Sequence, residues 1–314
     1  MLHNFRAMKP TMTLPERLGL RLLNAQGLRS RWIETSVGRI HALDGEGRGA
    51  LPPVVLLHGL SANAGAYGGY LRKLLPLAER VVAPDMPGHG LSDIPRGGLR
   101  SEAMLAGGVE ALDQLIDRPA ILVGNSMGGL GVVRYALARP DKVRGLLLVS
   151  PGGAPMPHAA FGRFLKTFHI NSHGDALEFV DRMFAKSTPV VRHAFAMAIK
   201  ERFSHPELRR LLDGLTVEDM LRADEIAGLH LPTLLIWGRE ERILPRSHLA
   251  FFADHLPEHA EIEEWPDFGH CGFLEQADGL ARRTVAFARE VCHKECSGAR
   301  STLADERDTL SISA

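Results

Sequence analysis

Residues 120–129 read AILVGNSMGG, and this stretch decides what kind of fold can surround it. Four consecutive apolar residues without alternation mark a strand buried on both faces, and the pattern that opens at Met127 is helical. Between the two stands Gly124-Asn125-Ser126-Met127-Gly128, a G-x-S-x-G sequence placed at a strand-to-helix turn. Small residues two before and two after the serine allow a tight turn, which holds Ser126 in a strained conformation with its hydroxyl above the sheet edge. A helix that starts at Met127 also aims unsatisfied N–H groups and the positive end of its dipole at this point.

Outward from this turn the chain alternates short apolar runs with helical patterns, the signature of a mostly parallel sheet covered on both faces. The runs are 53–57 (PVVLL), 80–83 (RVVA), 120–123, 143–149 (VRGLLLV), 233–237 (TLLIW) and 260–265. Crossover helices are expected over 65–77, 99–116, 127–139 and 246–255, with a last one over 272–291. Residues 29–45, RSRWIETSVGRIHALDG, alternate polar and apolar side chains and turn near Val37-Gly38, as an antiparallel edge hairpin would. No strand pattern occurs from about 151 to 229. The chain therefore divides into an N-terminal helical extension (1–30), a first core segment (31–150), a helical insertion expected to lie over the sheet edge as a lid (151–229), a second core segment (230–293) and a tail expected to be disordered (294–314).

Composition sets the outer limits. The 314 residues carry 37 Lys+Arg against 37 Asp+Glu, and the resulting formal charge of zero argues against a general nucleic-acid binder. Three cysteines, Cys271, Cys292 and Cys296, cannot all pair internally, so a reducing, cytoplasmic compartment is the economical expectation. The apolar runs fall far short of a membrane span, so no stable membrane insertion is expected.

A serine hydroxyl needs a base within hydrogen-bond reach and a third group that fixes the base's tautomer. Gly269-His270, just after the last strand pattern, puts an imidazole on a loop at the carboxyl edge. After TLLIW come Gly238-Arg239-Glu240-Glu241-Arg242, two adjacent carboxylates of which only one can point at that imidazole. An oxyanion would need two backbone N–H donors. Met127 supplies one candidate, and the turn after Leu57, His58-Gly59-Leu60-Ser61, supplies Leu60.

These motifs, with Asp85-Met86-Pro87-Gly88-His89-Gly90-Leu91-Ser92 after the second parallel run and Trp237-Gly238 before the acids, resemble the capped serine hydrolases of the α/β-hydrolase superfamily over residues 31–292. The resemblance implies an α/β-hydrolase fold with an eight-stranded, mostly parallel sheet, a helical cap after the sixth strand, and the chain order nucleophile, acid, histidine. It places the acid on Glu241, where Asp is usual, with Glu240 or a shifted Asp267 as alternatives. It implies catalysis by Ser126, His270 and Glu241 with an oxyanion hole at Leu60 and Met127, no cofactor and no metal, acting on a small-molecule ester. Carbon–carbon bond hydrolases of ring-fission products share the Gly124–Gly129 and Ser150-Pro151-Gly152-Gly153 sequences, although they usually carry Trp where Cys271 follows His270. A third possibility is a non-catalytic binding protein on the same scaffold. His58 and His89 read as turn-shaping residues, Cys271 as a packing residue, and Cys292/His293/Cys296 as too sparse for a zinc site. Of the insertion's Met156, Phe161, Phe164, Phe168, Phe179, Met183, Phe184, Phe195 and Met197, most are expected in its core and a few at an apolar cleft.

Overall fold

The computed structural model describes residues 12–293. Eight strands form one sheet: β1 (Arg29–Thr35), β2 (Gly38–Glu46), β3 (Val54–Leu57), β4 (Arg80–Pro84), β5 (Ala120–Ser126), β6 (Val143–Pro151), β7 (Thr233–Gly238) and β8 (Glu261–Trp265), in the order β1-β2-β4-β3-β5-β6-β7-β8. The β1–β2 hairpin is antiparallel and joins the sheet through an antiparallel β2–β4 pair, while β3 to β8 run parallel. This is the edge hairpin and the parallel centre that the alternating and continuous apolar runs specify.

Side chains alternate across the sheet, so each strand feeds two cores. Val55, Leu57, Leu122, Leu146, Leu148 and Leu235 pack on one face, with α3 (Ser101–Leu115), α4 (Met127–Ala138) and α10 (Arg246–His255). Val54, Leu56, Ile121, Val123, Leu147 and Ile236 pack on the other, against α1 (Leu14–Ala25), α2 (Gly68–Leu74) and the helix formed by residues 277–293.

Between β6 and β7 the chain forms α5 (His158–Lys166), α6 (His173–Met183), α7 (Pro189–Phe203), α8 (Pro206–Gly214) and the short α9 (Ala223–Ala227). Phe168, Phe179 and Phe203 meet edge-on or tilted at ring centroid distances of 5.3–6.0 Å and continue the core of the α3, α4 and α10 face of the sheet into these helices.

Two expected helices differ in detail. Residues 65–77 begin with a 3₁₀ turn at Ala64–Tyr67, capped by the Asn63 side chain, and α2 ends at Leu74, ahead of Pro76. The last helix is broken at Gln276, whose side-chain amide donates to the carbonyls of Pro266 and Asp267. These side-chain hydrogen bonds to the segment after β8 mark the break between α11 (Gly272–Glu275) and the helix of residues 277–293. The tail from 294 and Cys296 lie outside the described residues, as do residues 1–11. No helix of the described residues is long and apolar enough to cross a membrane.

Candidate active site

Ser126 closes β5 at φ 53° and ψ −121°, in a backbone region that ordinary residues avoid, and α4 begins at the next residue. The turn is this tight because nothing larger than glycine fits around it. A Cβ on Gly128 would lie 2.1 Å from the Leu57 carbonyl oxygen, and one on Gly124 would lie 2.6 Å from that of Gly128. A chain of hydrogen bonds fixes its surroundings: Gly59 N–H donates to Tyr67 Oη (3.2 Å), Tyr67 Oη–H to Asn125 Oδ1 (2.8 Å), and Asn125 Nδ2–H to the Val149 carbonyl (2.9 Å). Gly152 N–H donates to the Ser126 carbonyl at 2.8 Å.

Glu241 and His270 are brought together from the ends of β7 and β8. His270 Nδ1 lies 2.7 Å from Glu241 Oε2, with the carboxylate almost wholly buried and the imidazole slightly open. The other carboxylate oxygen accepts from Ile243 N–H (2.8 Å) and Leu244 N–H (3.0 Å). Burial alone would push the Glu241 carboxyl up, but His270 and those two backbone donors outweigh it and hold the group below its ordinary value. A charged acid that accepts at Nδ1 requires the N–H there and leaves Nε2 as the nitrogen available for a proton. The His270 loop is tied down on both sides: Gly269 N–H donates to Glu275 Oε2 (2.9 Å) and Cys271 N–H to the Met183 carbonyl (3.0 Å) of the insertion.

The other candidate acids stand elsewhere. Glu240 is exposed, and Asp267, also exposed, pairs with Lys186 at 2.8 Å. Ser126 and His270 share the carboxyl edge of the sheet, but among the described residues no hydrogen bond joins the hydroxyl to the ring; such contacts commonly tighten only around substrate. Of the two candidate oxyanion donors, Met127 is the first residue of α4, whose leading N–H groups have no partner within the helix. Gly59 N–H is taken by Tyr67, which makes Leu60 the next donor along the loop.

His58 spans two turns: its Nδ1–H donates to the Gly59 carbonyl (2.8 Å) and its Nε2 accepts from Met86 N–H (2.9 Å). Burial pushes the Cys271 thiol up, away from the thiolate form.

Above Ser126 lies a cavity of about 120 Å³ that opens to solvent. Its floor includes Leu60, Met127 and Leu130, and the insertion supplies Met156, Phe161, Phe164, Phe168 and Leu211 from its helices and the segments beside them. Phe179 and Phe184 are instead buried core and Met197 is exposed. The sequence reading missed three contributors. Glu275 and Tyr67 hold the loops described above, and no local pattern marks either. His248, in the first turn of α10, lines the cavity while almost fully buried; burial depresses its pKa to about 4, so it stands there as a neutral imidazole.

Residues 54–283 match the model of the Alpha/beta hydrolase family. The chain belongs to that family. Among its relatives, a 2-hydroxy-6-oxo-6-phenylhexa-2,4-dienoate hydrolase of Burkholderia cepacia is 29% identical over 268 residues, 79% of this hydrolase and 91% of the relative. A pimeloyl-[acyl-carrier protein] methyl ester esterase of Yersinia enterocolitica is 30% identical over 250 residues, 76% and 93% of the two chains. The crystal structure of naproxen esterase from Bacillus subtilis superimposes with a TM-score of 0.69 at 21% identity, covering 88% of this hydrolase and 99% of that chain, a likeness of fold.

Proposed function

We propose that this hydrolase cleaves a carboxylic ester with an apolar acyl group through an acyl-enzyme intermediate. Ser126 Oγ attacks the carbonyl carbon while His270 Nε2 takes its proton, and Glu241 stabilises the resulting imidazolium. The tetrahedral oxyanion is held by the Leu60 and Met127 N–H groups. His270 returns the proton to the leaving alcohol, and water, activated by the same imidazole, releases the acid. The observation that carries this reading is the 2.7 Å His270–Glu241 hydrogen bond, with the acid's other oxygen secured by two backbone donors, on the sheet edge where Ser126 is held in its strained turn. The apolar cavity supports the acyl preference.

Carbon–carbon bond hydrolysis is the second reading, favoured by the 29% identity to the dienoate hydrolase. Cys271, where the resemblance implies Trp, weighs against it. A chain-length series of p-nitrophenyl esters set beside a ring-fission dienoate discriminates: kcat/KM for the best ester should exceed that for the dienoate, and the reverse order selects the second reading. A fluorophosphonate should add one mass equivalent at Ser126, and a folded protein that takes up no label would return the chain to the binding-protein reading.

A further inference from the structure

Leu14, Leu18 and Leu22 recur at every fourth residue of α1 and so form one stripe along the helix. All three face solvent, at 71%, 49% and 63% exposure, while Leu20 and Leu23 on the opposite side are buried in the second core of the sheet. A single exposed leucine is ordinary. Three aligned on one 12-residue helix are the pattern of a contact surface.

Charge follows the same stripe. Arg17 and Arg21, three residues after Leu14 and Leu18, stand beside it, exposed and in no ion pair among the described residues. Glu16, the acid of α1, turns to the protein instead, where it is paired to Arg202 at the end of α7 and accepts from Asn63 Nδ2–H at 3.1 Å. The outward face of α1 therefore presents leucine and arginine without a carboxylate. The sequence extends the bias: residues 1–31 hold Arg6, Lys9, Arg17, Arg21, Arg29 and Arg31 against Glu16 alone, in a chain whose formal charge is zero.

Apolar side chains rimmed by unpaired cations suit an anionic lipid surface, where leucine enters the acyl boundary and arginine meets headgroup phosphate. Other occupants fit only half of the face. A second copy of it would bring more leucine but no carboxylate for the arginines. Residues 1–11 bring Arg6 and Lys9 and no acid. A nucleic acid would meet the arginines and leave the leucines in water. We propose that α1 is a membrane-surface docking helix that adsorbs to anionic bilayers. At 12 residues it is about 18 Å long, too short to span an apolar layer of roughly 30 Å, so it lies in the interface. Glu16 joins it to Asn63, on the loop that carries Leu60 at the floor of the Ser126 cavity.

The test is co-sedimentation of the full-length protein with vesicles of phosphatidylcholine and phosphatidylglycerol, against vesicles of phosphatidylcholine alone. It needs no turnover and is independent of the ester reading. The protein should partition onto the anionic vesicles and be released as salt is raised. Arg17→Gln/Arg21→Gln should weaken this partition roughly thirtyfold, from about a fivefold loss per cation at the surface. Leu18→Ser/Leu22→Ser should weaken it at least about tenfold, and Val190→Ser, at an exposed apolar residue of α7, should leave it within about twofold. All these side chains are exposed, so the melting temperatures should stay close to that of the wild type. Absence of partition onto anionic vesicles at low salt overturns the proposal, as does partition that survives the leucine pair or falls equally with Val190→Ser. A dimer in light scattering that Leu18→Ser/Leu22→Ser splits, with no vesicle binding, also overturns it and assigns the face to a second copy.

Discussion

At the scale of single residues, the two oxygens of Glu241 have different occupations, and this sets the consequence of neutralising it. In Glu241→Gln, the backbone donors of Ile243 and Leu244 keep an oxygen on their side, so the new amide NH₂ faces His270 Nδ1. That places the imidazole proton on Nε2, the wrong nitrogen for accepting one from Ser126. Steady-state kinetics should show kcat lower by about 10²–10⁴, the upper figure being that of the equivalent change in a serine protease. Glu240→Gln, at an exposed carboxylate, should stay within about twofold. Equal and small losses in both variants would falsify the assignment. The sequence offered both carboxylates but left the acid ambiguous between neighbours, because spacing along a loop does not say which side chain turns inward. The deciding facts, two backbone N–H groups three-dimensionally placed around one carboxylate, belong to the fold of the 241–244 turn. His248 was invisible for a related reason: a histidine in an amphipathic helix reads the same whether it meets solvent or a cavity.

At the scale of elements, the junction of β5 and α4 ties strand packing to the site. Gly128 has a helical backbone that alanine would favour, so any cost of Gly128→Ala comes from the Leu57 carbonyl oxygen 2.1 Å from the added carbon. That oxygen belongs to β3 and cannot yield without moving the strand. Thermal or urea unfolding should register a loss of about 3 kcal/mol, with ester hydrolysis falling in parallel as the turn at Ser126 shifts. Gly131→Ala, one helical turn later, meets only the end of the Leu57 side chain at 3.1 Å and should change stability by less than about 1 kcal/mol. If both variants behave alike, close approach at the junction is not what the glycine supplies. This part of the architecture was legible in AILVGNSMGG because strand, turn and helix each follow from local residue types. The break at Gln276 was not, since it arises from carbonyls of Pro266 and Asp267 that the chain brings round only after β8.

At the scale of the whole molecule, acid stability follows from what the two layers around the sheet bury. His89 and His248 are both held neutral by burial, with values depressed from 6.5 to about 4. In the unfolded chain they bind protons near 6.5, so between the two values the unfolded state holds more protons and folding stability falls as the pH is lowered. Each histidine contributes a limiting slope of about 1.4 kcal/mol per pH unit across this window, and the slope ends once both folded-state rings protonate near pH 4. Buried Asp85 and Glu241, both held below their ordinary values against the opposing pull of burial, stabilise the fold above the unfolded carboxyl range and lose that contribution only at lower pH. The histidines therefore govern the first phase of acid destabilisation and the carboxylates the second. Urea unfolding measured at intervals from pH 7 to pH 4 should show the first phase, and His248→Asn should lower its slope while buried His89 and His58, the latter also held below its ordinary value, keep the rest, whatever the substitution does to stability at neutral pH. Parallel stability-versus-pH curves for the two proteins would show that His248 binds its proton equally in the folded and unfolded chains, and with that the neutral imidazole in the wall of the Ser126 cavity would have to be abandoned.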